Sequence, residues 1–167
     1  MLNKKVEDIL NRQIDRESYS SNLYLAMAIW AECNGLEGTA KWLYAQADEE
    51  KQHMLKFISY VNERGGMAKI TAVEEPPAEY KDVIEIFAKV LEHEQFVSAS
   101  INEIVEVCLV EKDFTTHNWI QFFVTEQIEE EASVASINDK LKLIGSNNLY
   151  MFDRDVMGMR SEGGSDE

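Results

Sequence analysis

The chain is an imperfect duplication at a spacing of 77 residues, carried by its least interchangeable side chains. Glu17 recurs as Glu94, Trp42 as Trp119 and Glu49 as Glu126, while Glu50 falls on Gln127 and His53 on Glu130. The apolar frame keeps the same offset: Val6 meets Val83, Ile9 meets Ile86, Ile14 meets Leu91 and Leu43 meets Ile120. Each half carries one lone glutamate and, 33 residues on, the start of a polar i, i+3 pair: Glu50-x-x-His53 first, Gln127-x-x-Glu130 second. Two helical hairpins built this way are a frame for a two-metal site inside a bundle.

Apolar periodicity is helical along nearly the whole length. It predicts helices over about Lys5–Cys33, Thr39–Arg64, Asp82–Leu109 and Thr115–Ile144, with stop signals at Asn34-Gly35, Gly65-Gly66 and Gly145. A short amphipathic segment, Leu149–Met157, is a candidate fifth helix. Residues 1–157 are expected to form one domain and residues 158–167 a disordered acidic tail. The 17 residues from Gly65 to Lys81 hold both prolines, Pro76 and Pro77, and no helical pattern. Extended, such a connection spans roughly 55 Å, more than the roughly 40 Å of a 26-residue helix. The expected fold is therefore all-α: a four-helix bundle with one long crossover and a short fifth helix.

Along each helix the buried stripe is broken at one level. Glu17 interrupts Leu10, Ile14 and Ala28; Glu50 and His53 interrupt Leu43, Ala47 and Phe57. Glu94 interrupts Val90 and Val97, and Gln127 and Glu130 interrupt Phe123 and Val134. A buried carboxylate must be protonated, paired or metal-bound, and no lysine or arginine shares these stripes. Glu17, Glu50, Glu94 and Glu130 together balance two divalent cations, and mostly oxygen donors with one imidazole suit iron or manganese. A water-filled polar layer is the competing account. Glu49 and Glu126 turn to one flank with Glu129 and Glu130, as a weaker third site or simply as a solvated acidic face. Tyr24 lies two turns from Glu17 on the same face, within reach of a ligand, though by itself it reads as a core tyrosine.

The formal net charge of −15 argues against nucleic acid or an anionic membrane as partner and suits a protein that draws cations. Cys33 and Cys108 sit among apolar residues and are expected to be buried free thiols. With no apolar run near membrane length and no leader pattern, a cytoplasmic location is expected.

Glu17, Tyr24, Glu49-Glu50-Lys51-Gln52-His53, Glu94 and Glu126-Gln127-x-Glu129-Glu130 resemble the bacterial non-haem ferritins, over about residues 1–157. The resemblance implies an iron-storage subunit in a hollow cage of 24 copies, with the fifth helix at the fourfold axes. It implies a ferroxidase that oxidises Fe(II) with dioxygen or peroxide and deposits ferric oxyhydroxide inside. Glu17 and His53 would bind the first iron, with Glu50 bridging; Glu94 and Glu130 would bind the second, with Gln127 close by. Glu49, Glu126, Glu129 and again Glu130 match that family's third site, and Tyr24 its tyrosine beside the irons. Haem-containing relatives carry a second Glu-x-x-His and a methionine after the bridging glutamate; here Gln127, Glu130 and Lys51 stand there, so no haem is expected. A diiron oxidase or oxygenase acting on an organic substrate, or a non-catalytic metal-binding bundle, are the rival functions.

Overall fold

The computed structural model describes residues 2–160, without the side chain of Ser146, and residues 161–167 of the expected tail lie outside it. Its helices are α1 (Lys4–Cys33), α2 (Glu37–Glu63), α3 (Val83–Glu111), α4 (Phe114–Ile144) and the short α5 (Leu149–Asp155). A 3-10 turn, Val156–Met159, follows α5. No strand occurs among the described residues, so the fold is the all-α bundle the periodicity predicts.

Helix ends follow local chemistry. Asn3, Asp82 and Asp113 start α1, α3 and α4, each accepting a backbone N–H from the first turn: Lys5 at 2.8 Å, Glu85 at 2.8 Å and Thr116 at 3.0 Å. Gly65, at φ +75°, ends α2 in the left-handed region that costs glycine least. Helix α2 lacks a cap of its own at Leu36. Asp153 of α5 supplies one from across the sequence, with Oδ2 accepting from Gly38 N at 2.9 Å and Oδ1 from Thr39 N at 2.8 Å. A carboxylate on exposed N–H groups at a helix start satisfies both the donors and the dipole.

The crossover runs along α1. Lys69 N donates to Asn11 Oδ1 at 2.7 Å, Thr71 Oγ1 to Asp15 Oδ1 at 2.7 Å, and the Tyr80 ring meets Trp30 edge-on at 6.1 Å. Helix α3 thus starts beside the far end of α1 and runs antiparallel to it, with Ser20 opposite His93 and Gln13 opposite Ser100. Helix α1 packs against α2 and α3, and α3 against α4. The α2–α4 seam is filled by large rings: Phe57 lies 4.5 Å from Phe123, and Tyr60 stacks on Trp119 at 3.9 Å.

The apolar core is in two parts. One cluster gathers Tyr24, Met27, Trp42, Leu43, Phe87, Ile137 and Phe152; the other gathers Leu10, Ile14, Phe57, Ile101, Ile104 and Ile120. The broken stripes meet between them, as a polar layer across the middle of the bundle. Cys108 is buried but Cys33 is exposed, against expectation, because the last residue of α1 lies off its buried stripe. His93 is largely buried against Tyr19, Tyr24 and Phe96. Its turn away from Glu94 carries it into the α1–α3 seam rather than out to water.

Candidate metal centre

Four helices supply the layer: Glu17 and Tyr24 from α1, Glu50 and His53 from α2, Glu94 from α3, Gln127 and Glu130 from α4. All are buried. The single-turn spacing of Glu50 and His53 puts both on one face of α2. His53 Nδ1 is 3.7 Å from Glu50 Oε2 and 4.0 Å from Glu17 Oε2. One ligand atom from each of Glu17, Glu50 and His53 lies within 4.8 Å of the others. Glu17 Oε2 and Glu50 Oε2 find no hydrogen-bond donor although buried.

Glutamines aim the carboxylates. Gln13 donates to Glu17 Oε1 at 2.7 Å and accepts from Ser100 Oγ at 2.7 Å. Gln46 spans the layer, donating to Glu130 Oε2 at 3.1 Å and Glu50 Oε1 at 3.3 Å. Gln127 donates to Glu94 Oε2 at 3.1 Å, and the Tyr24 hydroxyl donates to Glu94 Oε1. Gln13, Gln46 and Ser100 were not anticipated from the sequence, although each glutamine stands one turn before a glutamate of the layer.

Burial raises these acids. Glu94 is pushed up to about 7, by desolvation and then by the charge of Glu130, against hydrogen bonds from Tyr24 and Gln127. Glu130 is likewise pushed to about 7, by desolvation and then Glu49, with Gln46 and Arg160 opposing. Glu17 rises well above the ordinary range through desolvation and its neighbour Glu50, and Glu50 rises through desolvation with His53 opposing. Burial alone would lower His53, but contacts with Glu126 and Glu50 and the charge around it leave the imidazole well above its usual value. The layer gathers more carboxyl groups than it can ionise without a further counter-charge, and a cation could supply that charge.

The second acidic flank also meets His53. Its Nε2 lies 3.0 Å from Glu126 Oε2, and Glu49, His53 and Glu126 bring ligand atoms within 4.8 Å of one another. Glu129 is outside this group. It is exposed, on a groove lined also by Gln121, Phe122, Thr125 and Glu126. One imidazole thus faces two carboxylate groups, Nδ1 toward one and Nε2 toward the other.

Antiparallel hairpins joined by a long crossover, around one buried layer of carboxylates and a histidine, define a ferritin-like helical protein. The family model for the ferritin-like domain matches residues 7–144, and the chain belongs to the ferritin family. It is 44% identical over 156 residues to a bacterial non-heme ferritin of Campylobacter jejuni, covering 92% of this chain and 93% of that one. A probable bacterial non-heme ferritin-like protein of Haemophilus influenzae is 44% identical over 158 residues, covering 93% and 96%. Among solved structures, the open pore ferritin of the archaeon Archaeoglobus fulgidus superimposes with a TM-score of 0.91 at 44% identity, covering 93% of this chain and 96% of that one. No helix among the described residues is long and apolar enough to cross a membrane.

Proposed function

We propose that the protein is an iron-storage ferroxidase that takes two Fe(II) ions as substrate into the polar layer. The observation carrying this is the convergence of His53 Nδ1 with Glu17 Oε2 and Glu50 Oε2, both buried and without a donor. Uncompensated oxygens of this kind are costly in a bundle core, and a divalent cation removes the cost. Glu17 and His53 hold the first ion, Glu50 lies between the two, and Glu94 and Glu130 hold the second. Each ion gives up one electron and dioxygen takes up both. Tyr24, Gln127 and Gln46 keep their carboxylates aimed while the charge changes. Glu49 and Glu126, with Glu129 at the exposed rim, then take up iron on its way to a ferric oxyhydroxide mineral.

Assembly into a cage of 24 copies belongs to the same proposal. The similarity to ferritins over more than nine-tenths of the chain supports it. Exposed apolar residues do so as well: Leu109, Val110 and Phe114 at the α3–α4 corner, Met67 and Ile70 in the crossover, and Leu143 and Tyr150 around α5.

Aerobic addition of Fe(II) followed by sizing tests the proposal. The expected product is a particle of about 460 kDa that gains a ferric core. Glu50→Ala and His53→Ala should each slow the fast oxidation phase at least a hundredfold while the helical spectrum is kept. Unchanged initial rates in both variants would refute the assignment, and a dimer without mineral would point to an oxidase.

A further inference from the structure

The 3-10 turn after α5 does not simply close the domain. Phe152 and Val156 are buried, Ser133 Oγ donates to Met159 O at 3.1 Å, and Asp153 caps α2. This strap delivers Arg160 to the acidic flank beside the polar layer, 111 residues from Glu49 in sequence. The guanidinium pairs with Glu49 Oε2 and reaches Ala45 O at 3.4 Å, and its charge is felt at Glu130. Both partners are largely enclosed, with side-chain exposures of 21% for Arg160 and 12% for Glu49.

We infer that Arg160 is a built-in counter-cation for the third cation site, which must be displaced before a metal ion can bind between Glu49 and Glu126. The inference rests on the iron-handling role proposed for this flank. Three observations carry it. Arg160 takes a carboxylate that a cation there would need. Glu126 Oε2 is buried 3.0 Å from His53 Nε2, so with Arg160 in place this carboxylate faces the imidazole and not the guanidinium. The guanidinium is itself incompletely satisfied, since its Nε is buried with no acceptor. A tightly forked arginine would block the flank permanently, whereas one with an orphaned N–H is a competitor that a divalent ion can outbid.

Displacement has a structural consequence. With Arg160 released, the only described hydrogen bond from residues 156–160 to the bundle is Ser133 to Met159 O, so this segment loosens as the cation binds. The coupling is reciprocal, as linkage requires: an occupied third site frees residues 156–160, and their docking weakens the third site.

Zinc is a redox-silent probe. Calorimetric titration of the metal-free assembled protein should show tight sites lost in Glu17→Gln, and a weaker class lost in Glu49→Gln. In Arg160→Gln the weaker class should tighten roughly tenfold with the tight class unchanged, and Arg160→Lys should fall between. Saturating the weaker class should speed deuterium exchange of the amides of residues 156–160 in the wild-type protein, but not in Glu49→Gln. Equal weak-class affinity in wild type and Arg160→Gln, or unaltered exchange at saturation, overturns the inference and leaves the two-iron proposal standing. Absence of the tight class overturns that proposal instead.

Discussion

Gln127 donates through Nε2 to Glu94 Oε2 at 3.1 Å, so the second half of the repeat aims a carboxylate where the first half offers one of its own, Glu50. The duplication places equivalent helices, but the two i, i+3 pairs act differently. Gln127→Glu would remove a donor and set a further carboxylate beside Glu94 and Glu130. The metal-free protein should lose about 2 kcal/mol, with recovery in saturating zinc. Thermal unfolding with and without zinc measures both, and an unchanged metal-free midpoint would contradict the donor role.

Glu94 and Glu130, each pushed to about 7 in the metal-free layer, make its stability fall as pH rises. A carboxylate with a raised folded pKa holds its proton longer than in the unfolded chain. Its contribution is therefore complete below about pH 4.5 and disappears as pH climbs through 7. The total is on the order of 3 kcal/mol per group. Metal uptake must expel these protons, so zinc binding should release more protons at pH 6 than at pH 8. Buffer-dependent calorimetry reads the difference, which Glu94→Gln should reduce.

His93 acts in the opposite direction. Burial lowers it to about 4, and its Nε2 lies 2.7 Å from Ser20 Oγ. The unfolded chain takes up this proton near pH 6.5 and the folded one only near 4, so stability is complete above 6.5 and falls as pH drops toward 4. The loss is about 3 kcal/mol. Replacing His93 with phenylalanine should flatten the acid limb of the denaturant-midpoint profile, and a parallel profile would contradict its burial as the neutral form.

The helices, the crossover and the polar layer were all legible in the sequence, since each is a matter of period. Helix boundaries agree to within about two residues, because glycines and acidic caps stand where the periodicity breaks. Gln13 and Gln46 were not legible: a glutamine one turn from a buried glutamate looks like a surface residue until the carboxylate it holds is known. Arg160 and Asp153 were illegible for another reason. Their partners Glu49 and Gly38 are more than 110 residues away, and no local pattern encodes where so distant a segment docks. Cys33 shows the converse: a residue type that favours burial, set between Glu32 and Asn34 at an exposed helix end.

Tyr24 donates to Glu94 and is buried with it, so Tyr24→Phe removes the hydrogen bond while keeping the ring. Without that donor Glu94 rises beyond about 7, and a metal ion bound at Glu94, as proposed, would have to displace a more firmly held proton. Zinc affinity at that position should drop more at pH 6.5 than at pH 8. An equal loss at both values would mean that Tyr24 acts by packing alone.

Gly38 and Asp153 tie the short helix to the start of α2, and a methyl group at Gly38 would sit 1.7 Å from the Asp153 carbonyl oxygen. In an isolated helix Gly→Ala gains about 1 kcal/mol; here it must push α5 away from two backbone donors. Asp153→Ala leaves those donors without a cap and costs about 1–2 kcal/mol. Both changes lie at the end of α2 remote from His53, so tight zinc binding should persist while thermal stability falls and the residues of α5 exchange faster. If Gly38→Ala instead raised the melting temperature, α5 would not be held by this contact, and the route by which Arg160 reaches Glu49 would need another anchor.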